Sequence, residues 1–326
     1  MKKNIIKIAK EVVKIETASL KKLEANIGKS FEQIIKTIIN CKNGKIIISG
    51  VGKSGIIGKK WSATLSSTGT PSFFLDASNA SHGDMGQITS NDILILISLS
   101  GQSEELKNII QYTSRNKNIK LIGITSKKDS LLYKNADLKF LLPSVKEAGP
   151  GNIVPTSSTT VQVALGDAIA ITCMVYKKFG KLDFKKFHPS GNLGAKLKTV
   201  EDLMVTGNKI PFINENEKMK IAIKIMSSKK LGILIVKNKK NLTIGIVTDG
   251  DLKRAIEKNS NLHNLKLNKI MTKNPISIDQ NELAAKALNL MTSKKKITSL
   301  CVFKNNKKDR TIGLIHIHNI LNANIN

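Results

Sequence analysis

Apolar residues follow two rhythms in the first part of this 326-residue chain, and each predicts a different kind of element. Near the start, Ile5, Ile8, Ala9, Val12 and Ile15 recur at helical spacing with charges between them, unlike the unbroken apolar core of a signal peptide. From residue 45 the rhythm changes to short runs that are apolar at successive positions, at 45–50, 92–98, 120–125 and 138–142. Such runs suit strands buried on both faces of a parallel sheet. Between them 103–116 reads as a helix, and the hydroxyl-rich 155–160 supplies N-capping groups for a long apolar helix reaching about Tyr176. Strands alternating with helices predict an α/β domain, a parallel-sheet αβα sandwich, over residues 1–198 with its N-terminal helices included.

Past residue 200 a repeat sets in. Asp202, Leu203 and Met204 recur as Lys269, Ile270 and Met271; Ile225, Met226 and Lys229 recur as Leu290, Met291 and Lys294; Ile244, Gly245 and Ile246 recur as Ile312, Gly313 and Leu314. Two copies of one βαββα-like unit, at 202–258 and 268–324, are each too small to bury a good core alone. The pair is therefore expected to pack as one α+β module.

Composition narrows the partners. The net charge of +29 first suggests nucleic acid. All but three of the basic residues are lysine, however, the exceptions being Arg115, Arg254 and Arg310, whereas phosphate-reading surfaces lean on arginine's planar fork. The stretch 46–100 balances Lys53, Lys59 and Lys60 against Asp76, Asp84 and Asp92. The excess is smeared over surfaces, and no nucleic-acid partner is expected. Cys41, Cys173 and Cys301 sit in apolar contexts without CxxC spacing, which argues for reduced, structural thiols in a cytoplasmic protein. No apolar run reaches the roughly 18 residues of a membrane helix, so no membrane partner is expected either.

Three strand-to-helix turns carry the candidate chemistry. Gly50, Gly52, Lys53, Ser54 and Gly55 place amides, a hydroxyl and an ammonium around one anion-sized space; the glycine spacing also meets the dinucleotide pattern, with Asp76 some 20 residues on. Ser98, Ser100, Gly101 and Ser103 make a second such turn, followed by Glu104 and Glu105, and 155–160 makes a third. In an open parallel sheet these turns lie at the carboxyl ends of strands, where ligands bind. Three together point to a phosphorylated small molecule. His82, Glu147 and His188 are the other titratable groups nearby, and a Glu or His set beside a carbonyl-bearing carbon can move a proton through an ene-diolate.

The order and spacing of these segments, with 67–74, His82-Gly83-Asp84 and His188-Pro189, resemble the sugar isomerase (SIS) domain of the D-arabinose 5-phosphate isomerase family. The repeats resemble that family's tandem CBS domains. The resemblance displaces the dinucleotide reading and implies interconversion of D-ribulose 5-phosphate and D-arabinose 5-phosphate, the entry to Kdo for lipopolysaccharide or capsule. It implies that Lys53 stabilises substrate charge while Glu105, Glu147 and His188 share proton transfer, with the base among them left open. Ser54, Gly69, Thr70, His82, Ser100, Ser103, Thr156, Ser157, Ser158 and Thr159 fall at substrate-binding positions. No cofactor is required, and His82 matches a position associated with inhibitory zinc. Gln102 and Ser190 depart from the family pattern without removing a catalytic group. A homotetramer is implied, His188 being a candidate for donation to a neighbouring subunit's site.

In the repeats, Gly245, Thr248 and Asp251 keep a spacing similar to a ribose-binding signature, which makes a nucleotide or nucleotide-sugar an expected effector; the second copy has His316 and Asn319 instead. Two rival functions stay open at this point, a non-catalytic sugar-phosphate sensor and an isomerase of another ketose phosphate.

Overall fold

The successive apolar runs become five strands of one sheet: β1 (Ile46–Gly50), β2 (Ser72–Phe74), β3 (Ile93–Ile97), β4 (Lys120–Thr125) and β5 (Leu138–Leu141). In this computed structural model, which describes residues 4–187, 197–258, 265–293, 296–305, 307 and 309–325, contacts divide the chain into two units, Met1–Phe187 and His188–Asn326. The sheet belongs to the first. Its order is β2-β1-β3-β4-β5 and every pairing is parallel.

Around it lie α1 (Ile5–Asn26), α2 (Lys29–Asn40), α3 (Gly52–Ser67), α4 (Ala77–Ala80), α5 (Glu104–Arg115), α6 (Leu131–Asn135), α7 (Ser157–Tyr176) and α8 (Lys181–Phe187). Because side chains alternate along a strand, Ile93, Ile95 and Ile97 point into one core with α1, α2, α3 and α7, while Leu94 and Leu96 point into another with α4, α5 and α6. The result is the layered sandwich that the alternation predicts. From β1 the chain moves to β2 on one side and then to β3 on the other. The strand order therefore reverses between β1 and β3, and a crevice opens there at their carboxyl ends.

Trp61 of α3 is fully buried and donates its indole N–H to the Gln162 carbonyl of α7 at 2.9 Å. Gly166 lies flat against the ring, since a Cβ there would sit 2.1 Å from the indole nitrogen. These two helices thus approach closely, and their N-termini are held together. α7 has the length and mean hydropathy of a membrane-crossing helix, although Asp167 and its hydroxyl-rich start interrupt the apolar run. Here its stripe of Val161, Leu165, Ile169 and Cys173 is buried in the core. Burial pushes the thiols of Cys173 and Cys301 up to about 11, which leaves both protonated and unreactive.

In the second unit, β7 (Phe212–Asn214), β8 (Ile233–Lys237) and β9 (Thr243–Thr248) form one repeat's sheet, and β11 (Ser277–Asp279), β12 (Ser299–Phe303) and β13 (Gly313–His316) form the other's. The repeats exchange a strand. β10 (Thr272–Lys273), which follows the second copy's Met271, pairs with β9 of the first, and β6 (Val205–Thr206), which follows Met204, pairs with β13. The recurring glycines mark this exchange: a Cβ on Gly245 would meet the Met271 sulfur at 2.9 Å, and one on Gly313 would meet the Met204 sulfur at 2.3 Å. Ile210, Ile233, Ile235, Cys301 and Leu314 make the core shared by the two sheets.

Candidate active site

The first turn is built by close approach. A Cβ on Gly55 would lie 2.6 Å from the Gly50 carbonyl oxygen, and one on Gly50 would lie 2.9 Å from the Ile97 carbonyl, so α3 starts hard against the ends of β1 and β3. Gly52 has φ +58°, the left-handed region that glycine adopts freely. Val51, the N-cap, has an apolar side chain and makes no capping hydrogen bond, which leaves the first-turn amides and the dipole of α3 for an anion. Lys53 is exposed and lines a cavity of about 430 Å³ shared with Ile56, Pro155, Thr159 and Thr160. A smaller hollow of about 120 Å³ joins Gly50 and Gly52 to Asp76 and Ser78, which sit just past β2. Ser78 was not singled out from the sequence; the signal was the short strand 72–74, whose carboxyl end meets that of β1.

The second turn is organised from inside. Buried Ser98 accepts the Gly101 amide at 3.0 Å through its hydroxyl and shares a 3.1 Å bond with the Ser103 hydroxyl. Ser103 is therefore turned inward, whereas Ser100 is exposed and accepts the Gln102 amide at 3.3 Å. Gly101 has φ +66° and no room for a Cβ, which would be 2.3 Å from the Ser130 hydroxyl. Glu104 and Glu105 then head α5, both exposed, with Glu104 paired to Lys107 at 2.6 Å. Asn108, one turn along, donates to the Ser81 hydroxyl at 2.9 Å and ties the turn bearing exposed His82 to this helix.

The third turn departs from expectation. The Glu147 carboxylate occupies the N-terminus of α7, where its Oε2 accepts the Thr156 amide at 2.7 Å, the Thr156 hydroxyl at 3.1 Å and the Ser158 amide at 3.2 Å. Partial burial pushes this carboxyl up, but the donors of Ser158 and Thr156 outweigh burial and hold it below the usual range. Thr156, Ser157 and Ser158 therefore do not face a phosphate in this arrangement, because a carboxylate already fills their helix end and a second anion would be repelled. Ser157 and Ser158 are also buried. Thr159 remains beside Lys53.

Comparison with known proteins places these turns in context. The SIS domain family matches residues 38–172, and the CBS domain family matches 200–258 and 267–326. The arabinose 5-phosphate isomerase KdsD of Francisella tularensis is 41% identical over 96% of this chain and 95% of its own. This chain belongs to the arabinose 5-phosphate isomerase family. The Yersinia pestis KdsD is 38% identical over 97% of this chain and 95% of its own. An Escherichia coli CFT073 protein solved in complex with arabinose 5-phosphate has 36% identity and a TM-score of 0.53, covering 57% of this chain and all of its own.

Among the family's expected site residues, Gly69 and Thr70 lie elsewhere. They precede β2, so they stand at the amino ends of the strands, opposite the crevice; Thr70 is buried and accepts from Lys177 at 2.9 Å, and Gly69 is covered by the Phe179 ring. Within this chain they cannot reach the three turns. His188 lies outside the described residues. No three His, Cys, Asp or Glu side chains gather around His82 or elsewhere among the described residues.

In the CBS pair of this isomerase family member, a cavity of about 330 Å³ opens between the repeats, lined by Thr248, Lys273, Lys296 and Ser299 with Ile233 and Pro275. Thr248 thus lines this cavity. Asp251 does not: it is buried, with Oδ2 accepting the Thr248 amide at 2.9 Å and hydroxyl at 2.8 Å, and Oδ1 accepting Arg254 at 2.6 Å. Burial raises its pKa, and the Thr248 and Arg254 donors more than reverse this. The signature here caps a helix, and His316 with Asn319 forms the matching capping box in the second repeat.

Proposed function

We propose that this protein is an aldose–ketose isomerase interconverting D-ribulose 5-phosphate and D-arabinose 5-phosphate, the reaction that feeds Kdo formation for lipopolysaccharide or capsule. The observation that carries this reading is the match to the Francisella enzyme through both units, at 41% identity over 96% of the chain. The geometry supports it. Two turns converge at the β1–β3 crevice, and α7 brings Thr159 and Thr160 beside Lys53.

In this reading the open amides of α3, with Ser54 and Ser100, hold the phosphate dianion, and His82 serves the sugar hydroxyls. Lys53 places its ammonium beside the carbonyl oxygen, where charge develops as the neighbouring C–H proton leaves and the ene-diolate forms. Glu105, Glu147 and His188 carry the proton between C1, C2 and their oxygens. A ketose phosphorylated on O5 cannot close a five-membered ring, whereas the aldose closes through O4, so the aldose direction also requires ring opening. The assembly is a homotetramer in which a neighbouring subunit's loop completes the site, and its mass by light scattering tests this.

A coupled assay of the purified protein with ribulose 5-phosphate and other ketose phosphates decides the reading. Arabinose 5-phosphate is the expected product. Formation of a different aldose alone would overturn the substrate, and binding without turnover of any ketose phosphate would favour a sensor. For the CBS cavity, Lys273, Lys296 and the apolar walls suit a nucleotide or nucleotide-sugar effector. Titration calorimetry with AMP on wild type and Thr248→Val is the corresponding test, with weaker binding expected in the variant.

A further inference from the structure

Thr156 is joined to the Glu147 segment by three bonds whose directions are fixed by chemistry. The Ala148 amide can only donate, and it points at the Thr156 hydroxyl at 2.8 Å. An ionised carboxylate can only accept, so the hydroxyl's single proton must lie on Glu147 Oε2, 3.1 Å away. The Thr156 amide adds a 2.7 Å bond to the same oxygen, as does the Ser158 amide at 3.2 Å. The Thr156 hydroxyl and both amides fall on Oε2, and the Ser158 hydroxyl is a further donor to the carboxylate. We propose that Thr156 is a positioning residue for Glu147, its hydroxyl fixing the carboxylate through Oε2 so that the ionised group is held in one orientation toward the reacting sugar.

This rests on the isomerase reading and replaces the expectation that Thr156 binds phosphate. A phosphate ligand would change substrate affinity, a structural cap would change stability alone, and a positioning residue changes turnover and its pH dependence. Removing a donor to the charged form raises the carboxyl's pKa, so the acid limb of kcat moves to higher pH.

The test is steady-state kinetics across pH for Thr156→Val, Thr156→Ser and Glu147→Gln, with circular dichroism for folding. Thr156→Val is expected to lower kcat about ten- to a hundredfold with KM little changed and the acid limb displaced upward. Thr156→Ser, which keeps the hydroxyl, is expected to restore both, and Thr156→Ala serves if the branched variant fails to fold. A raised KM at normal kcat, or an acid limb that stays in place, would overturn the proposal. Wild-type turnover in Glu147→Gln would instead remove Glu147 from the mechanism. A wild-type protein that makes no arabinose 5-phosphate fails the isomerase reading itself.

Discussion

Two lysines show how position decides what a charge does. Lys53 stands at the first turn of α3 on a cavity wall, free to meet an anion. Replacing it with alanine is expected to lower kcat/KM about 100- to 1,000-fold while the circular dichroism spectrum is unchanged, as for loss of a group that stabilises developing oxyanion charge. Lys45 stands at the opposite end of the sheet, where its ammonium reaches Asp92 Oδ2 at 2.8 Å and its amide reaches Oδ1 at 2.9 Å; the Thr89 amide adds 2.7 Å. Asp92 is buried, which by itself raises its pKa, yet these donors bring it below the ordinary value. Its contribution is therefore complete above the unfolded carboxyl pKa and is lost as pH falls through the lower folded value. Asp92→Asn is expected to cost about 2–3 kcal/mol near neutrality, with Lys45 partly solvated. Urea denaturation at neutral and at acid pH checks this, the gap between variant and wild type narrowing on acidification.

At the scale of elements, what brings the α3 and α7 N-termini together is the contact of Trp61 with Gly166, one turn below the cavity. The ring is held by its bond to the Gln162 carbonyl and cannot retreat. Gly166→Ala is expected to destabilise the protein by about 2–3 kcal/mol through overpacking, read as a lower Tm, and to raise KM because the wall of Thr159 and Thr160 shifts from Lys53. An unchanged Tm would show that the helices tolerate wider spacing. The strand exchange in the CBS pair has a similar logic. Each sheet takes an outer strand from the other repeat, so a fragment of residues 197–258 lacks β10 and is expected to stay unfolded by circular dichroism, whereas 197–326 melts cooperatively.

For the whole molecule, the sequence by itself determined the element types, the layered α/β sandwich, the tandem repeat and the family. These depend on local periodicity, on glycine spacing in single turns and on the order of segments, all written in one dimension. Gly245 and Gly313 were visible as a repeat, but their reason, a methionine from the exchanged strand, required both sheets to be in place. Lys53, Ser54 and Ser100 were found as site candidates for the same local reason, because the residues of a strand-to-helix turn travel together. Gly69, Thr70 and Asp251 stand apart from the turns and the cavity because a motif does not say which end of a sheet it reaches or which neighbour takes its acceptors. Glu147 and Thr156 show the limit most clearly. Nine residues apart, they became a carboxylate and its donors only when the chain after β5 turned back onto α7, and hydrogen bonding, being directional and short-ranged, is decided by that tertiary placement.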